Sequence, residues 1–520
     1  MSIRLEKGAQ RTWLLPLFLI LIGVAVRLWQ LGGVPCGLNQ DEAYAGYEAY
    51  SMLTYGVDSW GYTNPCYFIS WGSGMNVLES YLAMPFVALL GLTELAIRLP
   101  QAILACVSLP VVYLLLTRLF SRRVGLIGLF LTAICPWHIM LSRWGLESNL
   151  APGLLLLGLY FLVRGLDSPP WLLLAALFYG LSLYAYATLW VVLPLTLAAF
   201  LLYLLYTKRL TFTPYLAGAV GLLFMMALPL LLFVLVNLGV LEEIRTPFLS
   251  VPRLVSMRAS EVDWRNLFSL EAYQTLGEMV FGEGDGLIWN SLPQYGMFYR
   301  FSWPFMILGG VRMAVRAGKG LKARQFTGEG LLLLGLACAA LVSLSLDYRN
   351  INKANSLHLY LLVLLAFGVD WVFGFGKAHP VLPWGVVAVY AVAFGLFVNT
   401  YFTTYNDDID VQFRYGVGDA VAYVKEQGFE SVAVDSTVVY SHILFYDQTP
   451  QPEFAQTVEY ANYPSPYLSV SSFGRYTFGV DGNNLEPNTA YIVHVSSYDA
   501  FRNAGYTVVE FGLYGVAYLE

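Results

Sequence analysis

The sequence predicts an α-helical polytopic membrane protein with a small α/β domain outside the membrane at its C-terminal end. Three observations predict it. Charged residues make up 12% of the 520-residue chain, against roughly 25% in soluble globular proteins, while 57% is hydrophobic and 16% aromatic. Apolar runs near the ~20 residues needed to cross a bilayer recur through residues 1–400. From Tyr401 onward there is no Trp, no Cys and no run of that length.

The N-terminus places Arg4, Lys7 and Arg11 before its first apolar run. It resembles a signal peptide but lacks a small-residue cleavage site, so it reads as a retained first span. Gly33-Val34-Pro35 before Cys36 does not look like a lipoprotein processing site. The runs follow at Trp13–Leu31, Leu99–Leu119, Val124–Leu141, Leu150–Val163, Trp171–Trp190, Val191–Tyr206 and Pro214–Leu238. Trp303–Val315, Leu331–Leu346, Leu357–Phe375 and Leu382–Val398 complete them, for about 11 transmembrane helices by hydropathy. Leu78–Leu95 is laid on the outer interface. If it crossed, Arg118-Arg122-Arg123 and Lys208-Arg209 would move to the side opposite the basic N-terminus, against the positive-inside rule.

With that choice the basic loops at Arg118–Arg123, Arg164, Lys208-Arg209, Arg312–Arg324 and Lys377 are cytoplasmic, as is the N-terminus. Residues 1–400 then form a membrane domain with outer loops at 32–75 and 239–300, and residues 401–520 an extracytoplasmic α/β domain. In that domain Val417–Gln427 reads as a helix, Ser431–Ser436 and Ala490–Ser496 as strands, and Thr507–Glu520 as a hairpin turning at Gly512–Gly515. The expected location is the plasma (inner) membrane. There is no internal repeat and no low-complexity segment.

A net charge of −6 without a basic stripe interleaved with aromatics gives no sign of nucleic acid as a partner. No His and Cys cluster has zinc-like spacing, so no metal is assigned, although the acids leave a divalent ion open. Cys36 and Cys66 share an outer loop, and a bridge and two unpaired thiols both stand as readings.

Asn39-Gln40-Asp41-Glu42-Ala43-Tyr44 follows the first span. Asn39 with Glu42 three residues on is a capping-box pattern, which predicts a short helix through Tyr44, Tyr47 and Tyr50. Glu42 then serves backbone donors and Asp41 is left for chemistry. The same loop carries Tyr55, Trp60, Tyr62, Tyr67, Phe68 and Trp71, aromatic faces that suit both sugar rings and the bilayer interface. Farther on, Pro136-Trp137-His138 through Ser142-Arg143 to Glu147 makes a polar patch at a span end. Arg143 and Glu147 stand at i and i+4, which reads either as an ion pair or as functional groups at lipid depth. Arg349 and Lys353, at another outer span end, cannot be serving the positive-inside rule. They suit lipid headgroups in general or one substrate phosphate, with Arg27 as a third cation or a snorkelling one.

Asp41-Glu42 after one span, Arg98-Leu99-Pro100, Pro136-Trp137, Ser142-Arg143, Glu147 and Ile351-Asn352-Lys353-Ala354-Asn355, in that order, resemble the polyprenyl-phosphate-sugar-dependent glycosyltransferases of the GT-C fold. Protein O-mannosyltransferases and the lipid A aminoarabinose transferase are among the relatives. The resemblance covers roughly the first four hundred residues, the membrane part. It implies an inverting transfer of one sugar from a polyprenyl-phosphate carrier to a protein, glycolipid or cell-wall acceptor at the outer face. Asp41 matches the catalytic acidic position and would act as general base, with Glu42 and Glu147 the other acidic candidates. Arg349, Lys353 and Arg27 would hold the donor phosphate, and Arg143, His138 and Tyr44 would contact substrate. Lys353 stands where relatives often carry Arg, so it offers a point charge without a bidentate fork. The competing class is a transporter of a lipid or glycan, for which polar span ends also speak. Paired repeats and broken mid-membrane helices, its usual marks, are not seen.

Overall fold

The structure, a computed structural model, describes residues 7–256, 261–480 and 485–519. Arg4 and the last residue of the expected hairpin, Glu520, lie outside the described residues. Helices α1 (Lys7–Leu28), α2 (Gln40–Tyr55), α3 (Leu78–Leu90), α4 (Glu94–Leu119), α5 (Arg122–Ile134), α6 (Pro136–Met140) and α7 (Ala151–Gly165) build the first half of a bundle. It continues through α8 (Trp171–Leu183), α9 (Leu189–Tyr206) and α10 (Pro214–Asn237), a two-stranded ribbon of β1 (Ile244–Arg245) and β2 (Ser250–Val251), and α11 (Leu270–Phe281). Helices α12 (Trp303–Ala323), α13 (Gly328–Ser345), α14 (Asn355–Gly374) and α15 (Val381–Thr403) close it.

Seven helical segments among the described residues are long and apolar enough to cross a membrane: Glu94–Leu119, Glu147–Gly165, Leu189–Tyr206, Pro214–Asn237, Gly328–Ser345, Asn355–Gly374 and Val381–Thr403. Trp13–Leu28, Leu78–Leu90 and Trp171–Leu183 are apolar but shorter. The protein is thus a multi-pass membrane protein, and hydropathy runs and helices part company at identifiable residues. The run Val124–Leu141 breaks at Cys135, which is extended because Pro136 follows it. The run Trp171–Trp190 stops being helical at Leu183, and a turn around Tyr186–Thr188 separates α8 from α9. Helix α3, only 13 residues long, ends at Gly91 and buries one face.

The largest apolar core joins α1, α4, α5, α7, α9 and α12 to α15, while α10 and α15 leave Phe224, Met225, Val392 and Leu396 on the outside, as a lipid-facing surface requires. Helices α12 and α14 touch backbone to backbone: a Cβ on Gly309 would meet the Leu364 carbonyl, and one on Gly368 the Phe305 carbonyl, well inside contact distance. At one end of the bundle Arg123 and Arg312 share Asp370, Arg118 and Arg209 share Asp167, and Arg316 pairs with Glu329.

The opposite end carries the sheet. After α16 (Tyr405–Ile409) and α17 (Val417–Gln427) come β3 (Val432–Val434), α18 (Tyr440–Asp447), α19 (Gln451–Thr457), β4 (Glu459–Tyr460), β5 (Val470–Phe473) and β6 (Tyr476–Phe478). Strand β7 (Ala490–His494), α20 (Tyr498–Asn503), β8 (Thr507–Phe511) and β9 (Tyr514–Tyr518) finish the chain. The seven strands order as β4-β5-β6-β3-β7-β9-β8, with β3 parallel to β6 and β7 and every other pair antiparallel. Tyr405, Ile409 and Phe413 still belong to the bundle's core, so the chain leaves it only after residue 413.

The sheet region is bolted to α2. Ser441 Oγ donates to Gln40 O at 3.1 Å and Tyr47 Oη to Thr449 O at 2.8 Å, while just before α2 the Leu38 N–H donates to the Phe413 carbonyl of the bundle at 2.7 Å. Gly37, at φ 67°, sits so close to Phe413 that a Cβ there would strike its carbonyl oxygen.

Candidate functional site

Helix α2 starts as its sequence dictates. Asn39 Oδ1 accepts the Asp41 N–H at 3.0 Å, and Glu42 Oε2 accepts the Asn39 N–H at 3.1 Å, closing the capping box. Glu42 is also fully buried and takes Arg98 Nε at 2.9 Å and Nη2 at 3.2 Å, and the Gly145 N–H at 2.6 Å. Its two oxygens thus take four donors, which tie the start of α2 to Arg98 and Gly145. Arg98 completes the knot by donating to the carbonyls of Leu31, Pro35 and Gly37. Two sequence motifs, Asp41-Glu42 and Arg98-Leu99-Pro100, are thereby one unit.

Asp41 is half-buried, and Trp71 Nε1 donates to its Oδ1 at 3.3 Å. Its surroundings set it apart, because it lines two chambers at once. The larger, about 440 Å3, has aromatic and apolar walls from Tyr67, Trp71, Trp190, Val191, Phe233 and Leu254, with Asn76, Glu147, Glu261, Asn350 and Asn352 among its polar lining. The smaller, about 280 Å3, is lined by Asn39, Gln40, Trp144, Trp289, Asn350 and Asn352, and from the sheet side by Gln412, Arg414 and His442. Asp41, Leu146, Asn350 and Asn352 are common to both.

Glu147 follows Leu146 at the start of the 3-10 turn Glu147–Leu150 and accepts the Asn76 N–H. The i,i+4 ion pair with Arg143 does not form. Arg143 instead points at the C-terminal end of α1: Nη1 donates to the carbonyls of Val26 and Arg27, both at 2.9 Å, and Nη2 to Trp29, Gln30 and Val34. A helix leaves its last carbonyls without partners, and a buried guanidinium satisfies them.

Arg27 answers the break at Pro136. Pro136 has no N–H to return to Thr132, so the kink frees carbonyls. Arg27 Nη2 donates to Thr132 O at 2.9 Å and Nη1 to Ala133 O at 3.1 Å, while Tyr299 Oη takes Ile134 O at 2.8 Å. His138 Nδ1 lies 2.8 Å from Arg27 Nη2. Tyr44 is buried with its hydroxyl on Ser59 Oγ at 2.9 Å. None of Arg27, Arg143, His138 and Tyr44 lines either chamber; the structure places each on the partners just named.

The basic pair divides. Arg349 folds back on the end of α13, Nη2 donating to Leu344 O at 2.9 Å, and is not among the lining residues of either chamber. Lys353 forms an ion pair at 2.7 Å with Glu261, a lining residue of the larger chamber. The run between them is held by residues the sequence did not single out. Asp285 accepts the Ile351 N–H and Asn290 Nδ2, each at 2.8 Å, and the Leu287 N–H at 3.0 Å. Asn355 accepts Trp137 Nε1 at 3.2 Å and donates to Ser148 O at 3.1 Å, so three motifs distant in sequence meet at one side chain. Asn76 and the Tyr186–Thr188 turn were also missed as lining residues, whereas Trp71 carried a signal as part of the aromatic loop and Asn350 as part of the basic span end with Arg349 and Lys353.

Cys36 and Cys66 are unpaired thiols, the first against Asn406 O and the second against Pro229 O. Among the described residues no three His, Cys, Asp or Glu side chains converge as metal ligands would.

A multi-pass helical bundle with two chambers at the end that carries the sheet defines a fold class, GT-C, and the chain has that fold. Residues 77–233 match the family model described as dolichyl-phosphate-mannose-protein mannosyltransferase. Among solved structures, ArnT from Cupriavidus metallidurans in the apo state superposes with a TM-score of 0.59 at 14% identity, covering 98% of both chains. The same protein bound to undecaprenyl phosphate gives 0.55 at 13%, again over 98% of each chain. The Archaeoglobus fulgidus oligosaccharyltransferase in its apo form gives 0.49 at 16%, covering 86% of this chain and 64% of that one. The comparison with curated proteins found no match. The resemblance drawn from the motifs therefore holds at the level of the fold.

Proposed function

We propose that this chain is an inverting glycosyltransferase that moves a single sugar from a polyprenyl-phosphate carrier to an acceptor hydroxyl, with Asp41 as general base. One observation carries the reading: Asp41 stands where a partly apolar chamber and a polar chamber meet. An inverting displacement needs a base between its two substrates. The larger chamber suits the carrier lipid and its sugar, the smaller a polar acceptor. The acceptor oxygen attacks the anomeric carbon, its proton passes to the Asp41 carboxylate, and the bond from that carbon to the phosphate oxygen breaks. The carrier leaves as polyprenyl phosphate and the anomeric configuration inverts. ArnT, of the same fold, is known bound to undecaprenyl phosphate, which supports this choice of carrier.

The reaction so drawn uses the chain's own groups, and activity is expected to survive a chelator. The sheet would face outward from the inner membrane and the N-terminus inward; the arginine-rich end opposite the sheet supports this under the positive-inside rule. A cysteine placed at Val480 is then expected to react with an impermeant reagent in intact cells. Residues 401–520 would serve as the acceptor-side domain, since Gln412, Arg414 and His442 line the smaller chamber.

The deciding experiment incubates purified protein with radiolabelled polyprenyl-phosphate hexoses and an envelope extract as acceptor source. Labelled product from the parent and none from Asp41→Asn is the expected result. Carrier movement across vesicles without any cleavage of the sugar-phosphate bond would instead establish a transporter.

A further inference from the structure

We infer that Asn76 is a specificity-determining residue of the larger chamber, whose side-chain amide reads two adjacent hydroxyls of the donor sugar; this rests on the glycosyltransferase reading. Asn76 is 1% exposed and lines the chamber, yet neither its Nδ2 nor its Oδ1 has a hydrogen-bond partner. An amide buried in that state costs free energy unless something in the chamber supplies a donor and an acceptor together. The three parts of the proposed donor differ in what they offer. A prenyl chain offers neither, and a phosphate only accepts, leaving Oδ1 unmet. Sugar hydroxyls both donate and accept, and two neighbouring ones match the side-by-side N–H and C=O of a primary amide.

The amide is held ready for such a ligand. Its own backbone N–H is fixed on Glu147 Oε2. On one side Met75 pairs with Phe68 through two backbone hydrogen bonds of 2.9 and 3.1 Å, and on the other the Leu78 N–H donates to Tyr184 O at 3.2 Å. Trp71, Tyr67 and Trp190 line the same chamber, and aromatic walls suit a pyranose. Asn76 is therefore anchored through its backbone, and a buried amide so anchored discriminates against a ligand that lacks its partner.

The test measures affinity in nanodiscs for decaprenyl phosphate alone, for its mannosyl, glucosyl and galactosyl forms, and for the 2-, 3-, 4- and 6-deoxy analogues of the tightest. The parent is expected to lose about tenfold to a hundredfold on removal of either of two neighbouring hydroxyls. Asn76→Ala is expected to erase that discrimination while binding the bare carrier as the parent does, and Asn76→Ser stands in where the alanine variant fails to fold. Retained discrimination in the variant, or an equal loss for the bare carrier and the glycosylated ones, overturns the inference by showing an amide that holds water or packing only. A parent that gains nothing from any of the three sugars over the bare lipid overturns it too, while leaving the carrier assignment standing. A parent that binds no polyprenyl phosphate removes both.

Discussion

The Arg98 guanidinium grips both oxygens of the Glu42 carboxylate, with both side chains fully buried. Two further backbone donors, from Asn39 and Gly145, fill the same carboxylate, so it links the start of α2 to α4 and to the loop before Glu147. Glu42→Ala leaves Arg98 as an uncompensated buried charge and is expected to destabilise the protein by about 3 to 5 kcal/mol. Glu42→Gln keeps the shape but turns donors against donors, at about 1 to 3 kcal/mol. Asp41→Asn is expected to melt with the parent in detergent while its transfer rate falls about a hundredfold to ten-thousandfold. Parental melting of Glu42→Gln together with abolished transfer would reverse the two roles.

Arg143→Ala is expected to lower thermal stability markedly, because five carbonyls, two at the end of α1 and three in the segment after it, lose their shared donor. Arg143→Lys is expected to recover little of it, since an ammonium cannot span that arc of acceptors. Arg27→Ala should behave likewise at the Pro136 break. Affinity for polyprenyl phosphate, measured on the fraction that stays folded, is expected to remain parental in all three. A selective loss of carrier binding with unchanged melting would return these arginines to the donor site.

What could be read from the sequence was what depends on neighbours along the chain. The cap at Asn39, the helix Val417–Gln427 and the hairpin ending at Tyr518 all rest on local hydrogen-bond patterns and periodicity. Asp41 emerged from the same cap, because assigning Glu42 to the backbone left it over. A cation at the end of a span looks the same in sequence whether it faces a phosphate or a kinked helix. That Pro136 would free carbonyls was local information, but that Arg27, 105 positions from Thr132, would satisfy them was not. Hydropathy likewise registers apolar residues and not where Cys135 or Tyr184 stops a helix.

Glu48 and Asp58 give the region between α2 and α3 an unusual acid response. Glu48 is buried and accepts the Ser59 N–H at 2.8 Å; Asp58 is buried with one oxygen on the N–H groups of Trp60 and Tyr62 and the other without a partner. Burial pushes both carboxyls above their ordinary range, and the charge of Glu48 raises Asp58 further. A raised folded-state value means that the stabilisation is complete below the unfolded carboxyl range, about pH 4, and is lost as pH rises through the folded values. Thermal melting is therefore expected to climb as the pH falls from 8 towards 5, and Glu48→Gln to flatten that climb and raise stability at pH 8. A parent whose melting temperature falls steadily over that interval would count against buried neutral acids here.

Lys353 is the test of how the phosphate is held. Its ammonium is mostly buried and lies 2.7 Å from Glu261, which lines the larger chamber beside Asn350 and Asn352. A phosphate entering that chamber competes with Glu261 for the same cation, and a charge-assisted hydrogen bond is worth about 1.5 to 3 kcal/mol. Lys353→Ala is accordingly expected to weaken polyprenyl-phosphate binding by about tenfold to a hundredfold. Glu261→Gln removes the competitor and leaves the ammonium in place, so binding should tighten. Arg349→Ala, whose guanidinium caps the Leu344 carbonyl, is expected to leave carrier affinity unchanged and to cost only stability at the end of α13. Titration of the three variants with decaprenyl phosphate in nanodiscs reads all of this directly. Equal weakening by Lys353→Ala and Glu261→Gln would mean that the ion pair builds the chamber wall and the phosphate finds its charge elsewhere.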